Sequence, residues 1–242
     1  MHKNIFFSSF EKDRKFSKEA VVGIDEAGRG SVMGYMVYGA LIMPKDFSET
    51  DGFKDSKKLS PSIRTRLFEN IHKHTELEYI YHCNHPDYIS DQMFSGDKNL
   101  NEISFDSIVK ILDEIKKRCK TVNTVYIDAL GDCKECADKL GKLYPYNFVI
   151  KEKADATFKV VSGASIIAKV KRDLMMLEFG ENVGSGYPAD PDTIKWLKKN
   201  MNKVFGFPAG VRYSWATIKR MLGERKSLPL KGPLIGFYTN NL

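Results

Sequence analysis

The stretch VVGIDEAGRGSVMGYMVYGALIM, from Val21 to Met43, decides the fold. It opens on an apolar run that stops at two acids, Asp25 and Glu26, and its second half, Val32 to Met43, is a long run rich in strand formers. Both read as buried strands. The first pattern recurs along the chain. Thr124 to Asp128 (TVYID) is a strand that again ends on an acid, and Asn147 to Glu152 (NFVIKE) is a strand placed shortly before Asp155. Glu76 to Cys83 (ELEYIYHC) supplies a further strand.

Helices alternate with these strands. Ser60 before Pro61 marks a helix start, with Ile63, Leu67 and Ile71 at fourfold spacing. From Asn101 to Lys120 an apolar stripe of helical period runs through Ile103, Ile108, Ile111, Leu112, Ile115 and Cys119. Lys116, Lys117, Arg118 and Lys120 close its C-terminal end, where the helix dipole favours cations. Val160 to Leu177 reads as a helix, and shorter helices follow near Asp192 to Met201 and Tyr213 to Leu222. The expected class is α/β, a mixed sheet flanked by helices with a helical C-terminal region.

Carboxylates at the ends of neighbouring strands converge on one pocket, where their repulsion must be relieved by cations or protons. Any one of these acids also reads as a strand-end cap or an ion-pair partner. Taken together, Asp25, Glu26, Asp128 and Asp155 form a set of hard oxygen donors without His or Cys, which suits magnesium or manganese. The usual chemistry of two such ions is in-line attack on a phosphodiester. Beside the first pair, Gly28-Arg29-Gly30 lets backbone amides approach a phosphate. It is not a dinucleotide fingerprint, because Met33 stands where a third glycine is required, and no Gly-Lys-Ser/Thr follows to make a P-loop.

Composition agrees with a nucleic-acid partner. The 242 residues correspond to roughly 1.6 domains of ordinary size. Lys plus Arg exceeds Asp plus Glu by 38 − 31 = 7, an excess that favours a polyanion. No apolar run approaches the ~18 residues of a membrane helix, and Met1 to Ala20 lacks the apolar core of a secretory signal, so a soluble, intracellular protein is expected. Four cysteines fit reduced thiols. Cys133 and Cys136 form a lone C-x-x-C without the second pair of a structural zinc site, and His82, Cys83 and His85 do not complete one.

GIDEAGRG (Gly23 to Gly30), DSKKLS (Asp55 to Ser60), YIDALGD (Tyr126 to Asp132), KADATF (Lys153 to Phe158), SGASIIAKVKRD (Ser162 to Asp173) and GSGYPADP (Gly184 to Pro191) resemble, in order, the motifs of type 2 ribonucleases H. FGFPAGVRYSW (Phe205 to Trp215) looks most like the same stretch of the catalytic A subunit in eukaryotes, with its archaeal relatives. The resemblance implies an RNase H-like sheet. It implies cleavage of the RNA strand of RNA/DNA hybrids, and of single ribonucleotides within duplex DNA, leaving 3′-hydroxyl and 5′-phosphate ends. Asp25, Glu26, Asp128 and Asp155 match the metal-binding acids, for two magnesium or manganese ions, with Asp25 as the bridging candidate. Gly28, Arg29 and Gly30 match the loop that senses the 2′-hydroxyl, the group that separates RNA from DNA. Tyr187 matches the tyrosine that stacks on the sugar after the junction, and Lys57, Lys58, Ser165 and Lys169 fall in motifs lining the substrate path. Ser31 and Tyr35 stand where the family commonly has Pro, which removes φ restraints from the loop.

The implied organisation is an N-terminal extension (1–19), a catalytic domain (20–183), a helical substrate-binding extension (184–228) and a tail (229–242). Within the tail, Leu234, Phe237 and Tyr238 resemble a sliding-clamp motif in which Lys231 replaces Gln. The resemblance leaves two assemblies open: eukaryotic relatives work with two further subunits, B and C, whereas archaeal ones act as monomers, and a nuclear location is expected if the chain is eukaryotic. The readings to be set against this one are an RNase H-like nuclease acting on DNA junctions and a non-catalytic nucleic-acid-binding subunit.

Overall fold

The structure, a computed structural model, describes residues 3–49, 53, 59–128, 132–202 and 204–223. Six strands, β1 (Ile5–Ser8), β2 (Phe16–Ala27), β3 (Met36–Pro44), β4 (Glu78–Asn84), β5 (Cys119–Asp128) and β6 (Asn147–Lys151), form one sheet in the order β1-β4-β3-β2-β5-β6. The pairs β1/β4, β4/β3 and β3/β2 are antiparallel; β2/β5 and β5/β6 are parallel. The helices are α1 (Pro61–Lys73), α2 (Pro86–Ser95), α3 (Leu100–Arg118), α4 (Cys133–Leu143), α5 (Ala154–Thr157), α6 (Lys159–Met176), α7 (Pro191–Asn200) and α8 (Ala216–Gly223).

Strand alternation divides the core into two layers. Val22 and Ile24 of β2 pack with Tyr38, Ile103, Ile108 and Ile111 on the α3 side, while Val21 packs with Leu41, Leu67, Val161 and Ala164 on the side of α1 and α6. The α3 stripe begins at a reciprocal cap in which Asn99 and Glu102 satisfy each other's backbone N–H groups. Ser60 caps α1 with Pro61 in its first turn, as its sequence requires. A third cluster joins Val32, Met33 and Met176 to Val183, Leu197, Phe207, Val211 and Ile218, so the C-terminal region is fastened to the turn after β2.

Several strand boundaries differ from the sequence reading: β5 begins at Cys119, taking the end of the expected helix into the strand, and β4 runs from Glu78 to Asn84. The run from Val32 enters the sheet only at Met36, because Gly34 at φ +82° turns the chain and Val32 and Met33 are buried under the C-terminal region instead. β2 starts at Phe16, through the exposed polar residues Ser17, Lys18 and Glu19, which carry no apolar signal. The first nineteen residues also contribute β1, the sheet edge.

Candidate active site

In the parallel pair β2/β5, Ile24 lies opposite Ile127, so the next residues on the two strands bring Asp25 and Asp128 out side by side. Asp155 arrives in α5, entered through Lys153 in the left-handed region at φ 55°. The Ala154 N–H donates to Asp128 Oδ1 at 3.0 Å, tying this turn to the end of β5. One carboxylate oxygen from each of Asp25, Asp128 and Asp155 lies within 4.8 Å of the others. Glu26, next to Asp25, turns to the opposite face of the sheet by strand alternation, beside Tyr38 across the ladder, and stands outside this trio.

The arrangement is electrostatically costly. Burial first, then the charges of Asp128 and Asp155, hold the Asp25 carboxyl well above the ordinary carboxylate range, against hydrogen bonds from Ser165 and from the Glu26 N–H at 2.7 Å. Glu26 is raised as well, by burial and by Asp25, with Arg29 opposing. An all-oxygen donor set under this strain fits a hard divalent cation, whose charge offsets the repulsion.

Helix α6 backs the site at close range. A Cβ on Gly23 would stand 2.3 Å from the Val160 carbonyl, and one on Gly39 would stand 2.6 Å from the Ala164 oxygen. Only glycine admits the helix this near, and the approach sets the buried Ser165 against Asp25, with the half-buried Lys169 one turn further along.

The Gly28–Gly30 turn and Tyr187, far apart in sequence, are in contact. Gly28, at φ +81°, donates its N–H to Tyr187 Oη at 3.1 Å. Ser31 closes the turn through its hydroxyl, which donates to the Gly28 carbonyl at 2.7 Å, so a hydrogen bond restrains the loop where Pro would have fixed φ. Tyr35 is buried edge-on against His85, 5.1 Å between centroids. The Arg29 side chain reaches the start of α3, bonding Asn101 Oδ1 at 2.5 Å and Ser104 Oγ, and its charge acts on Glu26. Lys57 and Lys58 lie outside the described residues, as do Leu234, Phe237 and Tyr238.

Two arginines that the sequence reading does not single out hold this loop. Arg172 of α6 places its guanidinium 5.0 Å from the Tyr187 ring centroid and donates to the Ser185 carbonyl at 2.6 Å. Arg212 is fully buried; it donates to the Gly34 and Arg29 carbonyls, both at 3.0 Å, and lies 4.9 Å from the Trp215 ring. Burial and the neighbouring Arg172 pull it down from the ordinary arginine range. Backbone bonds add to the clamp: Val32 N–H to Gly186 O at 2.8 Å, and Gly34 N–H to Gly210 O at 2.8 Å. A signal is present in the sequence, since an arginine inside the apolar motif GVRYSW is costly to bury without carbonyl partners. Between the loop and the C-terminal region opens a cleft of about 600 Å³, lined by Glu26, Arg29, Gly30, Met93, Tyr187 and Trp215 among others.

Known proteins are similar to this chain in sequence and fold. The family model "Ribonuclease HII" matches residues 22–218. The A subunit of ribonuclease H2 from Arabidopsis thaliana is 39% identical over 215 residues, covering 83% of this chain and 73% of the relative. The crystal structure of ribonuclease H2 from Pyrococcus horikoshii OT3 superposes with a TM-score of 0.73 at 33% identity, covering 85% of this chain and 98% of the other. The PCNA:RNase HII complex from Archaeoglobus fulgidus gives 0.71 at 31% identity over 81% and 94% of the two chains. The matched span encloses all three clustered carboxylates, the Gly28–Gly30 turn and both loop-holding arginines, and this chain belongs to the ribonuclease HII family, hydrolases that cut the RNA strand of RNA/DNA hybrids.

Proposed function

We propose that the chain is a metal-dependent endoribonuclease that cuts RNA/DNA hybrids and also single ribonucleotides embedded in duplex DNA, leaving 3′-hydroxyl and 5′-phosphate ends. The observation that carries this reading is the meeting of Asp25, Asp128 and Asp155 within 4.8 Å. These three, with Glu26 as the fourth acid of the motif, would hold divalent ions such as magnesium or manganese. Such ions supply a water activated for in-line attack and charge stabilisation for the departing 3′ oxygen.

The chain's own groups do the rest. Ser165 orients Asp25 by hydrogen bonding, and the Ala154 N–H fixes one oxygen of Asp128. The Gly28–Gly30 turn offers backbone to the ribose 2′-hydroxyl, and Tyr187 lies against the adjoining sugar. Lys169, with Lys57 and Lys58, meets backbone phosphates. Residues 20–183 form the catalytic unit, 184–228 hold the duplex, and 1–19 and 229–242 extend it. The likeness to the plant ribonuclease H2 chain supports assembly with B and C subunits, and the archaeal complex supports a sliding-clamp contact through Leu234, Phe237 and Tyr238. Eukaryotic relatives support a nuclear location.

The test is cleavage of a labelled duplex carrying one ribonucleotide, using the chain alone and with its candidate partners in magnesium. Wild type should cut 5′ of the ribonucleotide, and Asp128→Asn should lose at least about a thousandfold in rate. Undiminished cutting by the variant would remove these carboxylates from the chemistry.

A further inference from the structure

Strand β3 stands behind both of the paired acids on β2. Opposite Asp25 is Gly39, the residue that lets α6 in close, and opposite Glu26 is Tyr38. Side chains directly opposite on an antiparallel pair share a face, with Cβ atoms about 4.5–5.5 Å apart, so the Tyr38 ring rises beside the Glu26 carboxyl. That ring is fully buried with Val22, Ile24, Ile103 and Ile108, which hold it between the sheet and α3. A tyrosine placed so deep ordinarily pairs its hydroxyl. The Tyr38 hydroxyl is buried and has no partner in hydrogen-bonding geometry among the described residues.

The surrounding groups identify what it lacks. Burial first, and then the charge of Glu26, hold the hydroxyl above the ordinary phenol range, with Ser104 and Arg29 near enough to pull the other way. It therefore stays a donor in want of an acceptor. Arg29 carries donors only, and its guanidinium already bonds Ser104 Oγ and Asn101 Oδ1. The Ser104 hydroxyl gives its own proton to the Leu100 carbonyl at 2.7 Å. The strongest acceptor beside the Tyr38 hydroxyl is the Glu26 carboxylate, on which the Arg29 charge also acts.

We propose that Tyr38 is a positioning residue for Glu26: its hydroxyl donates to one oxygen of the Glu26 carboxylate and leaves the other for a divalent cation. Two of the clustered aspartates already have such a partner, Ser165 for Asp25 and the Ala154 N–H for Asp128. Glu26 lies on the other face of the strand and carries a longer side chain, with one more rotor to fix. An unpaired buried hydroxyl costs stability, and the return for keeping it in this core is the placement of that carboxylate.

The inference rests on the reading of Glu26 as a metal-binding acid. Tyr38→Phe deletes the hydroxyl and keeps the ring. In the metal-free full chain this variant should unfold at a denaturant midpoint equal to or above that of wild type, because it removes an unpaired group. Calorimetry should show a manganese dissociation constant raised about tenfold, the loss expected when the partner of a metal ligand is removed. Cleavage of the duplex carrying one ribonucleotide should lose about tenfold in kcat, with KM changed less than about twofold. In a Glu26→Ala background the same substitution should alter manganese affinity less than about twofold, since its acceptor is gone.

A lowered midpoint would give the hydroxyl a purely structural partner and overturn the proposal. Unchanged manganese affinity or kcat, a loss carried by KM, or an undiminished effect in the Glu26→Ala background would overturn it as well. If Glu26→Ala by itself binds manganese and cuts as wild type does, the reading of Glu26 beneath the proposal fails instead, a result that Tyr38→Phe alone cannot produce.

Discussion

The acid centre and the loop clamp are assembled by opposite means. At the centre, adjacent parallel strands and a tight helix force like charges together, and the site is expensive in the folded state. At the clamp, buried positive groups meet backbone carbonyls, those of Arg212 more than 170 residues away in sequence, and Arg212 strengthens the fold while holding the Gly28–Gly30 turn. The proposed chemistry thus sits where the molecule is destabilised and the proposed recognition where it is stabilised. The same loss of activity must then have different thermodynamic signatures in the two regions.

Asp25→Asn makes the sharpest test. Cleavage should fall by at least about a thousandfold while the metal-free protein becomes more stable, by about 1–2 kcal/mol. The sign follows from the raised folded-state pKa of Asp25. Stability is fully present below the unfolded carboxyl pKa near 4 and is lost as pH rises through the higher folded value. The gain from Asn should therefore be large at about pH 8 and small at about pH 4, as denaturant titrations at the two pH values would show. A variant less stable at the higher pH would erase the contrast between the regions.

Gly23→Ala probes the support of the centre. Its Cβ would meet the Val160 carbonyl at 2.3 Å, a backbone contact that no rotamer relieves, so the fold should lose about 3 kcal/mol. Arg212→Ala removes two hydrogen bonds to buried carbonyls and should cost about 3 kcal/mol in chemical denaturation, the reverse in sign of Asp25→Asn. Tyr187→Phe has the smallest expected effect. It keeps the ring against Arg172 and removes only the acceptor for the Gly28 N–H, so the preference for a ribonucleotide over a deoxynucleotide at the cut should fall about fivefold with stability nearly unchanged.

The acid centre is legible in the sequence because strand periodicity and a terminal carboxylate are both local signals. Asp25, Asp128 and Asp155 each end or follow an apolar run, and the structure brings those three together. Glu26 joins them in the sequence through the GIDEAGRG motif, and strand alternation sends its side chain to the cleft side. The clamp is less legible. Nothing near Arg212 in the chain reveals that its partners are the carbonyls of Arg29 and Gly34, and Arg172 lies in a helix where a surface role is the ordinary expectation. β1 is four residues long with three exposed apolar side chains, too short for a period to register.

Helix α6 carries Ser165, which touches Asp25, and Arg172, which touches Tyr187 and the Ser185 carbonyl. The two are seven residues apart, about two turns and roughly 10 Å of axial rise on one rigid rod. The helix is therefore a gauge between the carboxylate cluster and the tyrosine loop proposed to meet the sugar. Adding or removing one residue between them would swing the arginine about 100° around the axis, so this gauge has no intermediate settings.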